Sequence, residues 1–183
     1  IKHGTNDKQH EMLLFTFNTG LLIRYNEDDN TFQFCNIRIC TTLRPLYSYA
    51  YIHVDDDILL FGRDDRHELR SKDVHKYSIK DNIWLRFEQT LPLPLTDAAA
   101  IITQDSECVH IIGGYKGEQD VTIHMKTKME DWTKGKTDME EQWSTIEDEK
   151  TEIEEILVEL EQMGEIIDIN KLKVKSANSF FCK

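Results

Sequence analysis

From residue 11 to about residue 132 apolar and polar side chains alternate in short runs broken by turn residues, a period of two that predicts many short β-strands and no helix. "YAYIHVDDDILLFG" predicts a hairpin with Asp55, Asp56 and Asp57 at its tip. "DVHKYSIKDNIWLRFE" predicts another, turning at Asp81 and Asn82, since Asp and Asn tolerate left-handed backbone and bond their own chain. "DAAAIITQDSECVHIIGG" repeats the first shape. After Trp132, "TKGKTD" ends the alternation and helix formers take over. Ile146, Ile153, Leu160 and Ile167 recur every seven residues, with Ile156, Leu157 and Met163 on the same side. That spacing predicts an amphipathic α-helix with one apolar stripe and a glutamate-rich opposite face.

The strand-like part contains an internal repeat. Tyr25 precedes Phe32 by seven residues in "YNEDDNTF", Tyr77 precedes Trp84 by seven in "YSIKDNIW", and Met125 precedes Trp132 by seven in "MKTKMEDW". Phe32, Trp84 and Trp132 stand 52 and 48 residues apart, and an apolar strand precedes each unit: "MLLF", "ILLFG" and "VHIIGG". A period of about 50 residues is that of one propeller blade of the kelch type.

On these residues the chain resembles the kelch family, whose unit is a strand ending in a glycine pair, a variable loop, then a tyrosine and a tryptophan. Gly113 and Gly114 with Trp132 match that unit, as do Gly62, Tyr77 and Trp84; "LPLPLTDAAAI" resembles the start of a following blade. Arg63 replaces the second glycine of the middle copy, Thr16 and Phe17 occupy that region of the first, and Met125 replaces the third tyrosine. The resemblance implies a mainly β fold: about three kelch-type β-propeller blades over residues 11–132, an incomplete ring, followed by an acidic amphipathic helical extension over residues 133–183. Because closed propellers have about four to eight blades, it also implies self-association or the remainder of a larger propeller.

In such blades Gly62, Gly113 and Gly114 supply positive φ or close backbone approach, and Phe32, Tyr77, Trp84 and Trp132 fill the space between sheets. A phosphate-binding role for the glycines does not fit. "GGYKGEQDVTIH" contains neither GxGxxG nor GxxxxGK[ST], and strand-like sequence follows it.

Charge changes the picture at one end of the chain. The formal net charge of −12 resides in residues 138–168, which hold 13 acids and one base, so the remainder is balanced and has no electrostatic reason to seek nucleic acid. Glu155 and Glu159, like Glu161 and Glu165, lie four apart and repel, and Gly164 weakens the helix further. A helix marginal by itself is expected to dock its apolar stripe, on the body of the chain or on a partner. Residues 169–183 restore positive charge and end in Phe180 and Phe181.

Candidate chemistry is sparse. His75, Cys108, His110 and His124 lie in or near predicted strands without metal-ligand spacing and read as ordinary strand residues, and no GxSxG elbow occurs. Asp28 with Asp29, and Asp64 with Asp65, sit where carboxylates serve turns. Cys35, Cys40, Cys108 and Cys182 lack CxxC spacing and have apolar neighbours, which suits reduced thiols in a cytoplasmic protein. No apolar run approaches the roughly 20 residues of a membrane helix, and no targeting peptide or lipid-anchor motif is visible. The expectation is therefore a non-enzymatic protein-interaction scaffold without cofactor or metal, its partner a protein of unknown identity. The loop carrying Arg63, Arg66, Arg70 and Lys72 is the candidate partner-binding segment, because a rigid frame presents its loops for recognition. A kelch-like oxidase or sugar-processing enzyme, and an adaptor working through the C-terminal helix, are the alternatives.

Overall fold

The computed structural model describes residues 8–45, 48–64, 70–116, 119–120 and 122–163. Asp65, Arg66 and all of residues 164–183, Gly164, Ile167 and Cys182 included, lie outside the described residues. The alternating segments form antiparallel strands. The first sheet contains β1 (Gln9–Thr16), β2 (Thr19–Asn26) and β3 (Thr31–Ile37), and a 3-10 turn, Thr41–Leu43, leads to the second. That sheet has four strands in sequence order, β4 (Ala50–Val54), β5 (Asp57–Arg63), β6 (Ser71–Ser78) and β7 (Ile83–Arg86). In the third, β9 (Cys108–Ile112) lies between β8 (Ala99–Ile102) and β12 (His124–Lys128); β10 (Tyr115–Lys116) and β11 (Gln119–Asp120) pair as a small ribbon before β12. Two helices follow, α1 (Glu130–Thr133) and α2 (Asp138–Met163). The protein is mainly β with a C-terminal helix.

The turns fall on the residues that favour them. Asn30, Asp55 and Asn82 take φ of 53°, 52° and 55°, left-handed backbone that Asn and Asp accept more readily than other side chains. At the β2–β3 turn, Asp29 Oδ1 accepts hydrogen bonds from the Thr31 amide (3.2 Å) and hydroxyl (2.6 Å), the local backbone role expected of that carboxylate pair.

The sheets pack face to face in chain order. Leu13, Phe15 and Ile37 of the first sheet meet Ile58, Leu60, Tyr77 and Trp84 of the second in one core. Phe15 lies edge-on to Tyr77 at 5.2 Å and to Trp84 at 5.4 Å. The opposite face of the second sheet, with Ile52, Leu59, Phe61, Val74 and Leu85, packs on Val109, Ile111 and Trp132 in the other core. Burial on both faces explains why "ILLF" in β5 is a continuous apolar run instead of an alternation.

The helix docks by the face opposite to the one expected. Its buried residues are Glu140, Ser144, Glu147 and Thr151, whereas Ile146, Ile153 and Leu157 of the apolar stripe are exposed and Ile156, Leu160 and Met163 are half-buried. The physical reason is what it covers: the edge of the second sheet at β7, the 3-10 turn and two arginines. Ser144 donates to the Trp84 carbonyl (3.2 Å), Glu140 accepts from the Glu88 amide (3.1 Å), and Glu147 accepts from the Thr41 amide and hydroxyl. Arg38 pairs with Asp148 and Glu155, and Arg44 with Glu154. Unpaired strand and turn backbone call for polar partners, and a stripe of isoleucines offers none. Thr137 and Glu140 start the helix with a reciprocal capping box, each side chain accepting the other's amide at 3.2 and 3.1 Å.

The cysteines divide. Cys40 and Cys108 are free, as expected, but Cys35 is disulfide-bonded to a partner outside the described residues, so the expectation of uniformly reduced thiols fails there. Pairing of distant cysteines is a product of chain folding, which local spacing does not encode.

Candidate protein-interaction surface

The repeat positions occupy related places in successive sheets. Tyr25 and Phe32 are cross-strand partners on β2 and β3, as are Tyr77 and Trp84 on β6 and β7, with ring centroids 4.7 and 4.9 Å apart. Tyr25 donates its hydroxyl hydrogen to Asn30 Oδ1 (3.2 Å) and Tyr77 donates to Asn82 Oδ1 (2.8 Å), so the seven-residue spacing encodes one hairpin built twice. The third copy departs from this. Trp132 lies on α1, where Glu130 and Asp131 occupy the first turn, instead of on an outer strand. Both tryptophans are buried and each indole has an acceptor: Trp84 donates to the Arg38 carbonyl (2.8 Å) and Trp132 to the Thr127 hydroxyl (3.2 Å). Phe32 is 52% exposed.

The glycines serve close approach at the strand ends. Gly62 has φ of 66° at a register shift between Phe61 and Arg63, and a Cβ there would lie 2.2 Å from the Leu95 carbonyl oxygen. Gly114 has φ of 109° and adjoins the same segment, where a Cβ would lie 2.7 Å from the Leu95 side chain and 2.8 Å from the Thr96 carbonyl oxygen. Gly113 takes φ of 66° in open space. The segment around Leu95 and Thr96 thus passes between two strand ends whose backbones must come near it.

This crowding positions the candidate loop. Arg63 follows Gly62 directly, and the Arg70 guanidinium lies over the Tyr115 ring at 5.3 Å, joining the β5–β6 connection to the β9–β12 connection. Tyr115 is held in turn by Thr96, through reciprocal backbone bonds of 2.8 and 3.4 Å. The Lys72 carbonyl accepts from the Leu91 amide (2.8 Å) while its side chain is exposed. Arg63, Arg70 and Lys72 therefore gather at one rim of the sheet stack. Tyr115 belongs with them and has no signal in the sequence beyond following the glycine pair.

The histidines part company. His75 is buried, 5.9 Å from the Trp143 ring, instead of being half-exposed, because β6 is covered on that face. Burial pulls its pKa down to about 3, with the Arg86 and Arg63 charges acting in the same direction against Asp73. His110 and His124 come together on the exposed face of the third sheet, Nδ1 to Nε2 2.6 Å with near-parallel rings. Among the described residues no group of three or more His, Cys, Asp or Glu side chains gathers as a metal site. Cys40 is buried beside Glu147, and desolvation followed by that carboxylate's charge pushes its thiol up to about 12.

No family model and no curated protein matches the chain. Among solved structures, that of YjhT is similar with a TM-score of 0.44 and 14% identity, over 61% of this chain and 35% of YjhT. The chain thus spans about a third of the length of that structure. Among the described residues no helix is long and apolar enough to cross a membrane.

Proposed function

We propose that the chain is a segment of a kelch-type β-propeller acting as a non-enzymatic protein-interaction scaffold. The observation that carries this reading is the placement of side chains: apolar residues are spent on contacts between successive sheets, and cationic side chains collect at one rim, Arg63 at the end of β5 and Lys72 at the start of β6 flanking Arg70, which lies over Tyr115. Loops fixed by a rigid frame are the usual carriers of recognition, and arginine beside an aromatic ring is favoured where proteins meet. The matching Tyr-to-Asn hydrogen bonds in two turns and the glycines at the strand ends support the kelch comparison. The test is affinity capture with the chain and with a variant carrying Arg63→Glu, Arg70→Glu and Lys72→Glu. A partner retained by the first and lost by the second, at unchanged circular dichroism, supports the rim as the working surface. Equal capture by both sinks it.

A second reading has its own observation. Ile146, Ile153, Leu157 and Val158 stay exposed on a docked helix, as an adaptor working through α2 requires. Ile153→Glu with Leu157→Glu would abolish capture on that reading and leave it intact on the first.

A further inference from the structure

Strands β9 and β12 bring two imidazoles to one point. Side chains alternate along β9, with Val109 and Ile111 buried in the core and His110 between them on the other face. The register sets His110 opposite Lys126 and His124 opposite Ile112, so the two histidines are diagonal neighbours on one face of the sheet. Diagonal residues of an antiparallel pair are roughly 7–8 Å apart, a span that two imidazoles reaching toward each other can close. Here they do close it: His110 Nδ1 and His124 Nε2 are 2.6 Å apart.

The contact is head to head. The ring centroids are 4.9 Å apart, which is the nitrogen separation plus one ring radius at either end, and the ring planes differ by 19°. Both nitrogens therefore lie on the line between the ring centres, one donating its hydrogen and the other accepting it. Two ring nitrogens aimed at one point are also what a transition ion takes as a chelate. An ion about 2.0–2.1 Å from each, at right to tetrahedral angles, needs them about 2.8–3.4 Å apart, so an opening of roughly 0.2–0.8 Å admits it. His124 is exposed and His110 half-buried, and small changes in their side-chain torsions supply that opening.

We infer that His110 and His124 form a two-imidazole chelate for a divalent ion of the late first transition row, zinc(II) or copper(II). The ion takes Nδ1 of His110 and Nε2 of His124. The hydrogen that bridged them moves to the far nitrogen of its own ring, so both rings coordinate as neutral imidazoles and no net proton is lost. Imidazole suits zinc and copper, whereas magnesium and calcium take oxygen ligands. Among the described residues no third His, Cys, Asp or Glu joins the pair, so water fills the remaining positions and the ion stays exchangeable. Lys126, directly opposite His110, opposes the ion's charge and holds the affinity below that of three- and four-ligand sites. Once bound, the ion clips β12 to β9 and stabilises the folded chain by mass action.

Isothermal titration with zinc chloride alone reads the site. His110→Gln and His124→Gln should each weaken zinc binding at least about tenfold, since loss of either nitrogen removes the chelate. The double variant should bind no more weakly than either single one, the mark of two ligands acting as a unit. His53→Gln, an exposed histidine on β4, should leave the affinity unchanged. Long-range proton–nitrogen NMR of the imidazoles should show zinc shifting Nδ1 of His110 and Nε2 of His124, and far-UV circular dichroism checks the fold of each variant. Equal zinc affinity in the wild type and the double variant overturns the proposal. So does a loss confined to one of the two single variants, which would mean a lone ligand, and so does a shift of the opposite ring nitrogens. None of these outcomes bears on capture through Arg63, Arg70 and Lys72, which the charge-reversal variant reads separately.

Discussion

At the scale of single residues, the glycine pair separates two demands usually met together. Gly113 and Gly114 both take positive φ, but only at Gly114 would a Cβ enter its neighbours. Gly113→Ala is expected to cost about 1 kcal/mol, from backbone strain alone, and Gly114→Ala at least about 2 kcal/mol, since strain and overpacking combine. Urea midpoints of the two variants check the order. His75 makes a pH-dependent contribution whose sign follows from its burial. Its folded pKa of about 3 lies below the ordinary 6.5, so between these values the unfolded chain binds the extra proton. The contribution is complete above pH 6.5 and drains as pH falls toward 3, by at most about 1.4 kcal/mol per pH unit. His75→Phe should flatten that part of the profile in denaturation series at about pH 7 and about pH 5. Gly62 and Gly114 were legible in the sequence as backbone sites. That His75 is dry was not, because its covering group, Trp143, comes from a helix 68 residues along the chain.

At the scale of elements, α2 shows what periodicity can and cannot decide. Its existence was readable from the helix formers after Trp132 and the apolar residues recurring every seven, whereas its capping box of Thr137 and Glu140 emerged with the structure. Its orientation was not. The apolar stripe predicts which face can be buried, but the site it meets is the β7 edge and the 3-10 turn, whose amides and carbonyls need polar partners. Glu147→Ala should therefore destabilise the chain by about 1–3 kcal/mol by leaving the Thr41 amide without its acceptor, while Ile153→Ser should stay within about 0.5 kcal/mol. Thermal unfolding of both variants tests the inversion, and the opposite order would refute it. The hairpins were more faithfully written. Asn30, Asp55 and Asn82 fix their turns locally, and each turn sets the register of the strands beside it.

At the scale of the whole molecule, stability is carried by the junctions between sheets. Trp84→Ala should cost about 3–5 kcal/mol and Phe32→Ala in the isolated chain less than about 0.5 kcal/mol, although the two residues are counterparts in the repeat. Chemical denaturation of each at low protein concentration is the measurement. Equal losses would mean that Phe32 is packed as Trp84 is. The sequence by itself determined the strands, their turns, the spacing of the large aromatics and the presence of an acidic helix, because each depends on residues within one or two turns of chain or on a repeated period. Only the tertiary structure decided which counterpart is dry and which is wet, which face of α2 turns inward, and that Arg70 meets Tyr115. Those outcomes depend on what lies opposite a side chain, and burial and pairing are properties of two surfaces brought together from distant parts of the chain.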